Sequence, residues 1–242
     1  VRVWDAFSGE CENVLSKHRD WVRYAIFNPK GDRIASASSD NTIILWNAKT
    51  GEYITTLYGH SAPVMSVNFD PTSKRLVSSS WDKTIIVWNA EGGYQLGNCK
   101  AHKKDVYYTE FNLDGTKIVS CSDDKTFYVW NSETLQYESS WMEHSNYVNS
   151  AVFSPDGNFL ATASSDRTIR IWDLNTKECV KALGGHKNWV NSVRYHPNGN
   201  ALVSASDDKT IKVWTSGDGL VIEEVNEFKQ EFEDGVFYSL NK

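Results

Sequence analysis

Short apolar runs separated by turn residues recur along the chain, and no stretch carries the long apolar stripe of an amphipathic helix. Residues 189–214 read in order WVNSVRYH, PNGN, ALVSAS, DDKT and IKVW. The apolar runs are rich in Val, Ile and aromatic residues, which is typical of strands, and the intervening residues are typical of hairpin turns. After these three apolar runs, each unit contains a fourth short run. The pattern therefore predicts four strands per unit and an all-β fold.

The unit repeats every 42 residues. Three residue types keep this period and mark successive units: Trp4, Trp46, Trp88, Trp130, Trp172 and Trp214; His18, His60, His102, His144 and His186; and Asp40, Asp82, Asp124, Asp166 and Asp208. Each of these aspartates stands six residues before a tryptophan of the series. Because all three series share one period, the sequence predicts a repeat protein in which each unit is one supersecondary element.

A Gly-His-type signal, an Asp-x-Thr turn and a Trp-Asp or Trp-Asn pair at this period resemble the WD40 repeat. The resemblance covers nearly the whole chain. It implies a β-propeller, in which four-stranded blades are arranged radially around a channel. The chain departs from the literal pattern in places, since only Trp4-Asp5 and Trp172-Asp173 are Trp-Asp pairs.

Five complete blades can be drawn over about residues 21–226, and VRVW and CENVL supply half of another at the N-terminus. We therefore expect a propeller over residues 1–226. The acidic and aromatic segment 227–242 is expected to be a closing strand or the start of a further blade, with a linker or a docking surface for a basic partner as alternatives for residues 223–234. Val1 falls within a repeat, so we expect either imperfect closure with strands from both termini or, preferably, a longer protein with seven or more blades.

The family resemblance implies a hydrogen-bonded tetrad of His, Ser or Thr, Asp and Trp in each blade. Carried over, the tetrads are His18, Ser36, Asp40, Trp46; His60, Ser78, Asp82, Trp88; His102, Ser120, Asp124, Trp130; His144, Thr162, Asp166, Trp172; and His186, Ser204, Asp208, Trp214. The alternative hydroxyls stand two places later, at Ser38, Ser80, Ser122, Ser164 and Ser206. Ser, His and Asp also form hydrolase triads, but an enzyme needs one triad in one pocket, so five copies favour a structural role.

Composition narrows the function further. The formal net charge of −6 gives no general reason to expect nucleic acid or an acidic membrane as a partner. Cysteines 11, 99, 121 and 179 show no metal-type spacing, and no apolar run approaches a membrane span of ~18 residues. We expect no catalytic residues, cofactor, metal, membrane partner or small-molecule substrate. An intracellular, cytoplasmic protein is the leading expectation, with a cytoskeletal, ciliary or nuclear location as alternatives.

Because strands alternate in direction, the loop that carries His and the turn that carries Asp lie at one end of each blade, the top face. The candidate protein-binding residues beside these markers are Trp21, Trp81, Tyr147, Trp189, Arg19, Lys103, Asp105, Asp123, Lys187 and Asp207. Trp, Tyr and Arg are enriched in interface hot spots. Trp81 is the strongest candidate, since the other blades carry Ser or Asp there. Aromatic residues three places after His are equally consistent with packing under a neighbouring loop.

The leading functional hypothesis is a non-catalytic scaffold that binds other proteins within a large assembly through its top face. A reader of a short peptide or modified residue, using Trp81, Trp189 and Asp105, is the first alternative. An RNA-associated propeller that uses the top lysines is the second. NWVNSV and SASDDKTIKVW look like repeats of centriole and axoneme propellers, and also like those of G-protein β-type, splicing and ubiquitin-ligase adaptor propellers, so the pathway stays open.

Overall fold

The computed structural model describes residues 1–215 and 222–224, and these residues form strands and turns without a helix. An N-terminal pair comprises β1 (Arg2–Trp4) and β2 (Cys11–Val14). Blade 1 comprises β3 (Val22–Phe27), β4 (Arg33–Ser38), β5 (Ile43–Asn47) and β6 (Tyr53–Leu57); blade 2 comprises β7 (Val64–Phe69), β8 (Arg75–Ser80), β9 (Ile85–Asn89) and β10 (Gln95–Cys99). Blade 3 comprises β11 (Val106–Phe111), β12 (Lys117–Ser122), β13 (Phe127–Asn131) and β14 (Tyr137–Trp141); blade 4 comprises β15 (Val148–Phe153), β16 (Phe159–Ser164), β17 (Ile169–Asp173) and β18 (Cys179–Leu183). Blade 5 comprises β19 (Val190–Tyr195), β20 (Ala201–Ser206), β21 (Ile211–Thr215) and β22 (Ile222–Glu224).

Each blade is a four-stranded antiparallel sheet whose strands pair in chain order, and β1 and β2 form a separate two-stranded sheet. The predicted all-β architecture of five complete four-stranded blades and a partial sixth is therefore confirmed. The expected closing strand or further blade at 227–242 lies outside the described residues, as does most of the acidic segment 223–234.

A β-bulge occurs at the same place in the first strand of every blade. In blade 1, Val22 is in register with Ser38 and Tyr24 with Ala37, so Arg23 has no register partner. The equivalent bulge residues in the later blades are Met65, Tyr107, Asn149 and Asn191. Because a bulge bends the strand and re-aims a side chain, these five positions depart from the regular alternation.

Apolar side chains pack between successive blades. Trp141 of β14, for example, stacks on Phe127 with ring centroids 4.8 Å apart and donates its indole N–H to the Lys177 carbonyl of blade 4 at 3.0 Å. Near the centre of the array, the ring centroids of Tyr108 and Tyr24 lie 6.0 Å apart, and the Arg194 guanidinium carbon lies 4.6 Å from the Tyr108 ring centroid. These three residues belong to blades 1, 3 and 5, so the array curves and brings first strands around a common centre.

The array exposes core positions at both of its ends. Val64 is fully buried by the preceding blade, whereas the equivalent Val22 of blade 1 is 38% exposed. Ile169 of blade 4 is fully buried, whereas the equivalent Ile211 of blade 5 is exposed. In the inner blades, neighbouring blades cover both faces of the sheet. Among the described residues, the first face of blade 1 and the last face of blade 5 lack such a cover.

Candidate functional site

Each blade contains one hydrogen-bonded set of His, Ser or Thr, Asp and Trp side chains. In blade 1, His18 Nδ1 lies 2.8 Å from Asp40 Oδ2, and His18 Nε2 lies 2.8 Å from Ser36 Oγ. Trp46 Nε1 donates to the same hydroxyl at 2.8 Å. The same contacts recur at 2.7–3.2 Å in the sets His60, Ser78, Asp82, Trp88; His102, Ser120, Asp124, Trp130; His144, Thr162, Asp166, Trp172; and His186, Ser204, Asp208, Trp214.

One arrangement of protons satisfies every atom of the set. Trp46 Nε1–H donates to Ser36 Oγ, so the single hydroxyl proton of Ser36 can point at His18 Nε2. His18 then carries its own proton on Nδ1, which faces Asp40. Ser36 is fully buried. A hydrolytic nucleophile must reach a substrate, so this buried and fully bonded hydroxyl is suited to structure rather than to covalent catalysis.

The tetrad aspartates are held as carboxylates. Burial alone would raise the pKa of Asp40, but hydrogen bonds from Thr42, the Arg19 amide and His18 outweigh it and lower the pKa to about 2. The pKa values of Asp82, Asp124, Asp166 and Asp208 are likewise lowered, because hydrogen bonds outweigh the opposing effect of burial. These carboxylates are therefore committed to holding the top loops.

Two further residues at each turn complete the network: the threonine of the Asp-x-Thr turn and the serine two places before the aspartate. In blade 1, the Thr42 hydroxyl donates to Asp40 Oδ1 at 2.6 Å. Ser38, the alternative tetrad hydroxyl, instead accepts a hydrogen bond from the Asp40 amide and donates to the Asp20 carbonyl. The recurring Asp-x-Thr turn was the available signal for the threonine.

The candidate positions on the top face are joined in pairs by backbone hydrogen bonds. The residue just before the tetrad Asp donates its amide to the carbonyl of the residue three places after His, at 2.8–3.1 Å in all five blades. The pairs are Ser39 and Trp21, Trp81 and Pro63, Asp123 and Asp105, Ser165 and Tyr147, and Asp207 and Trp189. The two residues of each pair therefore lie together at the top of the blade. The side chains of the five pairs form a rim whose composition differs from blade to blade.

Trp21 and Trp81 meet through Arg23, which is not among the candidate residues predicted from the sequence. The guanidinium carbon of Arg23 lies 4.9 Å from the Trp21 ring centroid and 5.8 Å from that of Trp81. Arg23 Nε also donates to Ser39 Oγ at 2.7 Å. Trp21, Arg23 and Trp81 form the Arg23 cluster, which spans blades 1 and 2. The sequence signal for Arg23 was that it is a cation where other blades carry Met, Tyr or Asn.

Tyr147 and Trp189 form a second aromatic contact, between blades 4 and 5, with ring centroids 6.5 Å apart. Lys104 of the neighbouring blade lies 5.7 Å from the Tyr147 ring and 3.6 Å from Asp123 Oδ2. These distances join Asp123 to Tyr147 through one lysine. The structure thus places Tyr147 and Trp189 together, and Trp21 and Trp81 in a separate cluster.

Asp105 and Asp123 lie together at the top of blade 3. Burial, followed by the charge of Asp123, raises the pKa of Asp105. Burial, followed by the charges of Asp123 and Asp105, raises the pKa of Tyr107 to about 12. Asp123 Oδ1 is buried and has no hydrogen-bond donor among the described residues. An unpaired carboxylate oxygen of this kind can accept a hydrogen bond from a ligand.

The remaining candidates have mixed roles. The amides of Arg19, Lys103 and Lys187 donate to the tetrad carboxylates at 2.7–2.9 Å, while their side chains are exposed. Asp207 accepts a hydrogen bond from Asn191, the bulge residue of its own blade. The backbones of these residues support the tetrads, and the three cationic side chains stay on the surface.

The structure also contains two cavities. A cavity of about 360 Å³ is lined by Ser61, Lys83, Thr84, Asn98 and Lys100, among others. A more apolar one of about 320 Å³, between blades 4 and 5, is lined by Leu183, Tyr195 and Trp214, among others. Within residues 1–215 and 222–224, no group of three or more His, Cys, Asp or Glu side chains could hold a metal ion. That same part of the chain has no helix long and apolar enough to cross a membrane.

The blades, their repeated tetrads and their variable top rim define a protein built from β-propeller repeats. The family model described as "WD domain, G-beta repeat" matches five times, at residues 9–47, 51–89, 93–131, 135–173 and 177–215. The chain belongs to the WD40 family, as its motifs predicted. WD40 repeats generally serve as protein-interaction scaffolds, and the family is typically non-catalytic. A comparison with curated proteins found no match.

Proposed function

We propose that this chain is a non-catalytic scaffold that binds partner proteins through its top face within a multiprotein assembly. The observation that carries the proposal is the contrast between the tetrads and the rim. The tetrad chemistry is the same in all five blades, whereas the rim beside it changes from blade to blade. Trp21 is 72% exposed and Trp189 is 46% exposed on this rim.

Exposed indoles favour a protein partner. Burying an aromatic side chain of this size at an interface contributes both apolar area and a defined orientation, and Trp is among the residues most often found at hot spots. The two aromatic clusters supply anchors from four blades, which suits a partner that extends across the top of the array. A reader of a short peptide is the second candidate, and the unpaired Asp123 Oδ1 supports it because a peptide donor could satisfy this oxygen.

The test is affinity capture with three forms of the full chain: the unchanged protein, the double variant Trp81→Ala with Trp189→Ala, and a control with Leu113→Ala and Val180→Ala. Leu113 is an exposed residue of the turn between the first and second strands of blade 3, at the bottom of the blade, which is the end opposite the top face. Val180 is an exposed residue of β18, the outer strand of blade 4. Circular dichroism and thermal unfolding establish that each form is folded before capture.

We expect the top-face variant to lose a defined set of proteins that both the unchanged chain and the control retain. Equal sets from all three forms would contradict binding through the top face. Binding of discrete short peptides, abolished by Trp81→Ala, would favour the peptide reader over a broad scaffold. RNA capture that weakens steeply with salt would favour the RNA-associated alternative.

A further inference from the structure

The Arg23 side chain leaves the regular β-sheet alternation. It is the bulge residue of β3, with no register partner on β4. Such bulges re-aim side chains, and they are over-represented beside functional sites. The equivalent residues of the other blades are Met65, Tyr107, Asn149 and Asn191, so a cation at this position belongs to blade 1 alone. Among the bulge residues of the five blades, Arg23 is therefore the one cation, and the bulge moves its side chain out of the regular alternation of the strand.

Contacts on two sides hold the guanidinium in place. It lies within cation–π distance of the Trp21 and Trp81 rings, at 4.9 and 5.8 Å from their centroids. The Nε–H donates to Ser39 Oγ at 2.7 Å, which fixes the rotation of the planar group. No ion pair joins Arg23 to a carboxylate within the part of the chain that the structure describes, although the side chain is exposed. Its two terminal amino groups are thus available as a preorganised fork of donors.

Trp81 brings a further donor to the same cluster. Its indole Nε1 is buried and has no acceptor among the described residues. A buried donor without a partner costs free energy, and an incoming acceptor would remove that cost. Along the chain, Arg19 and Lys83 stand two residues from Trp21 and Trp81, with Asp20 and Asp82 in between. The cluster therefore offers the positive charge of Arg23 and unpaired donors on a chain whose net charge is −6.

We propose that the Arg23 cluster binds an oxyanion, a carboxylate or a phosphate group, carried by an extended segment of a partner protein. The proposal rests on the protein-binding function of the top face and names the chemistry that one part of it recognises. Arginine engages both groups through two parallel N–H···O bonds, which a lysine cannot reproduce. The two indoles lie beside the guanidinium, with their ring centroids 4.9 and 5.8 Å from its carbon, and can supply apolar contact to the residues beside the anion. An acidic residue and a phosphorylated residue are the two sources of this anion.

The experiment follows the Trp21 and Trp81 indole N–H signals of the full, ¹⁵N-labelled chain by NMR. Trp21→Phe and Trp81→Phe variants assign the two signals. The probes are four capped tripeptides, Ala-X-Ala, in which X is Glu, Gln, phosphoserine or Ser. Each is titrated into the unchanged chain, into Arg23→Lys, and into Arg167→Lys. Arg167 is exposed and occupies a turn position where three other blades already carry Lys, so it is a matched control for the same substitution.

We expect the Glu or phosphoserine peptide to shift both indole signals, and the Gln and Ser peptides to leave them in place. Arg23→Lys should weaken binding at least about tenfold, because a lost bidentate, charge-assisted hydrogen bond corresponds to that factor or more. Arg167→Lys should bind as the unchanged chain does. The stronger of the two active peptides identifies the source of the anion.

Three results would overturn the inference: shifts that do not differ between the charged and the uncharged peptide in either pair (Glu and Gln, phosphoserine and Ser), undiminished binding by Arg23→Lys, or no indole shift with any peptide. Arg23-dependent binding of a single-stranded RNA oligonucleotide in place of the acidic peptides would also overturn it. If the affinity capture succeeds and the tripeptide titration fails, the protein-binding function stands and only the oxyanion inference is lost. If the capture itself fails, the proposed function is wrong.

Discussion

Thr162 occupies the tetrad position that is Ser in the other four blades, and it offers a direct way to isolate one hydroxyl. Its Oγ1 accepts from Trp172 Nε1 at 2.9 Å and lies 2.7 Å from His144 Nε2. Thr162 is fully buried, so water cannot replace either bond. The hydroxyl, rather than the size of the side chain, is what the network requires at this position.

Thr162→Val should therefore destabilise the protein by about 2–3 kcal/mol, because a nearly isosteric change leaves two buried polar atoms without partners. Thr162→Ser, which keeps the hydroxyl and removes a methyl group, should cost about 1 kcal/mol. Urea unfolding of both variants measures the difference. Equal stability of the Val and Ser variants would contradict the role given to the tetrad hydroxyl.

The tetrad carboxylates also predict how stability depends on pH. Because the folded pKa of Asp40 is about 2, below its ordinary value of 3.8, the carboxylate stabilises the fold above the unfolded pKa. That contribution should be lost as the pH falls from about 4 towards 2. Urea midpoints across this interval should fall less for Asp40→Asn than for the unchanged chain. Parallel curves for the two proteins would rule out this contribution from Asp40.

At the scale of the element, the turn between the first two strands of a blade depends on a left-handed residue. Gly157 has a φ of +74°, and Gly184, in the loop after β18, lies outside the left-handed region. A Cβ added at either glycine would meet no atom within 4 Å, so only backbone strain separates the two sites.

Gly157→Ala should cost about 1 kcal/mol, because an L-residue with a side chain is strained in the left-handed conformation. Gly184→Ala should stay within about 0.5 kcal/mol of the unchanged protein. Thermal unfolding of the two variants provides the comparison. A Gly157→Ala protein as stable as Gly184→Ala would mean that the turn does not need this backbone conformation.

The elements show clearly what the sequence could and could not predict. The strands and turns follow from a period that every blade repeats. The members of each tetrad follow from the resemblance to the WD40 repeat, and the structure brings their side chains within hydrogen-bond distance. Arg23 was missed because a bulge breaks the two-residue alternation, and the sequence does not show where register shifts. The pairing of Trp21 with Trp81 depends on how adjacent blades pack, which no spacing within one blade reveals.

For the whole molecule, position in the array decides the cost of losing a core side chain. Phe27 of blade 1 is 51% exposed, whereas the equivalent Phe69 of blade 2 is 8% exposed beneath its neighbour. Phe69→Ala should destabilise the chain by about 3–5 kcal/mol. Phe27→Ala should cost about 1 kcal/mol or less, since much of its ring already contacts water. Equal costs, measured by urea unfolding, would show that Phe27 is covered in the folded protein.

The central claim is that partners bind the top face, and hydrogen–deuterium exchange of the full chain with a captured partner tests it most directly. We expect protection in the top loops around residues 18–23, 81–84, 103–107, 145–149 and 187–191, with unchanged exchange in the bottom turns around 70–74, 112–116 and 154–158. Protection confined to those bottom turns, or to the outer strands β6, β10, β14 and β18, would contradict the claim.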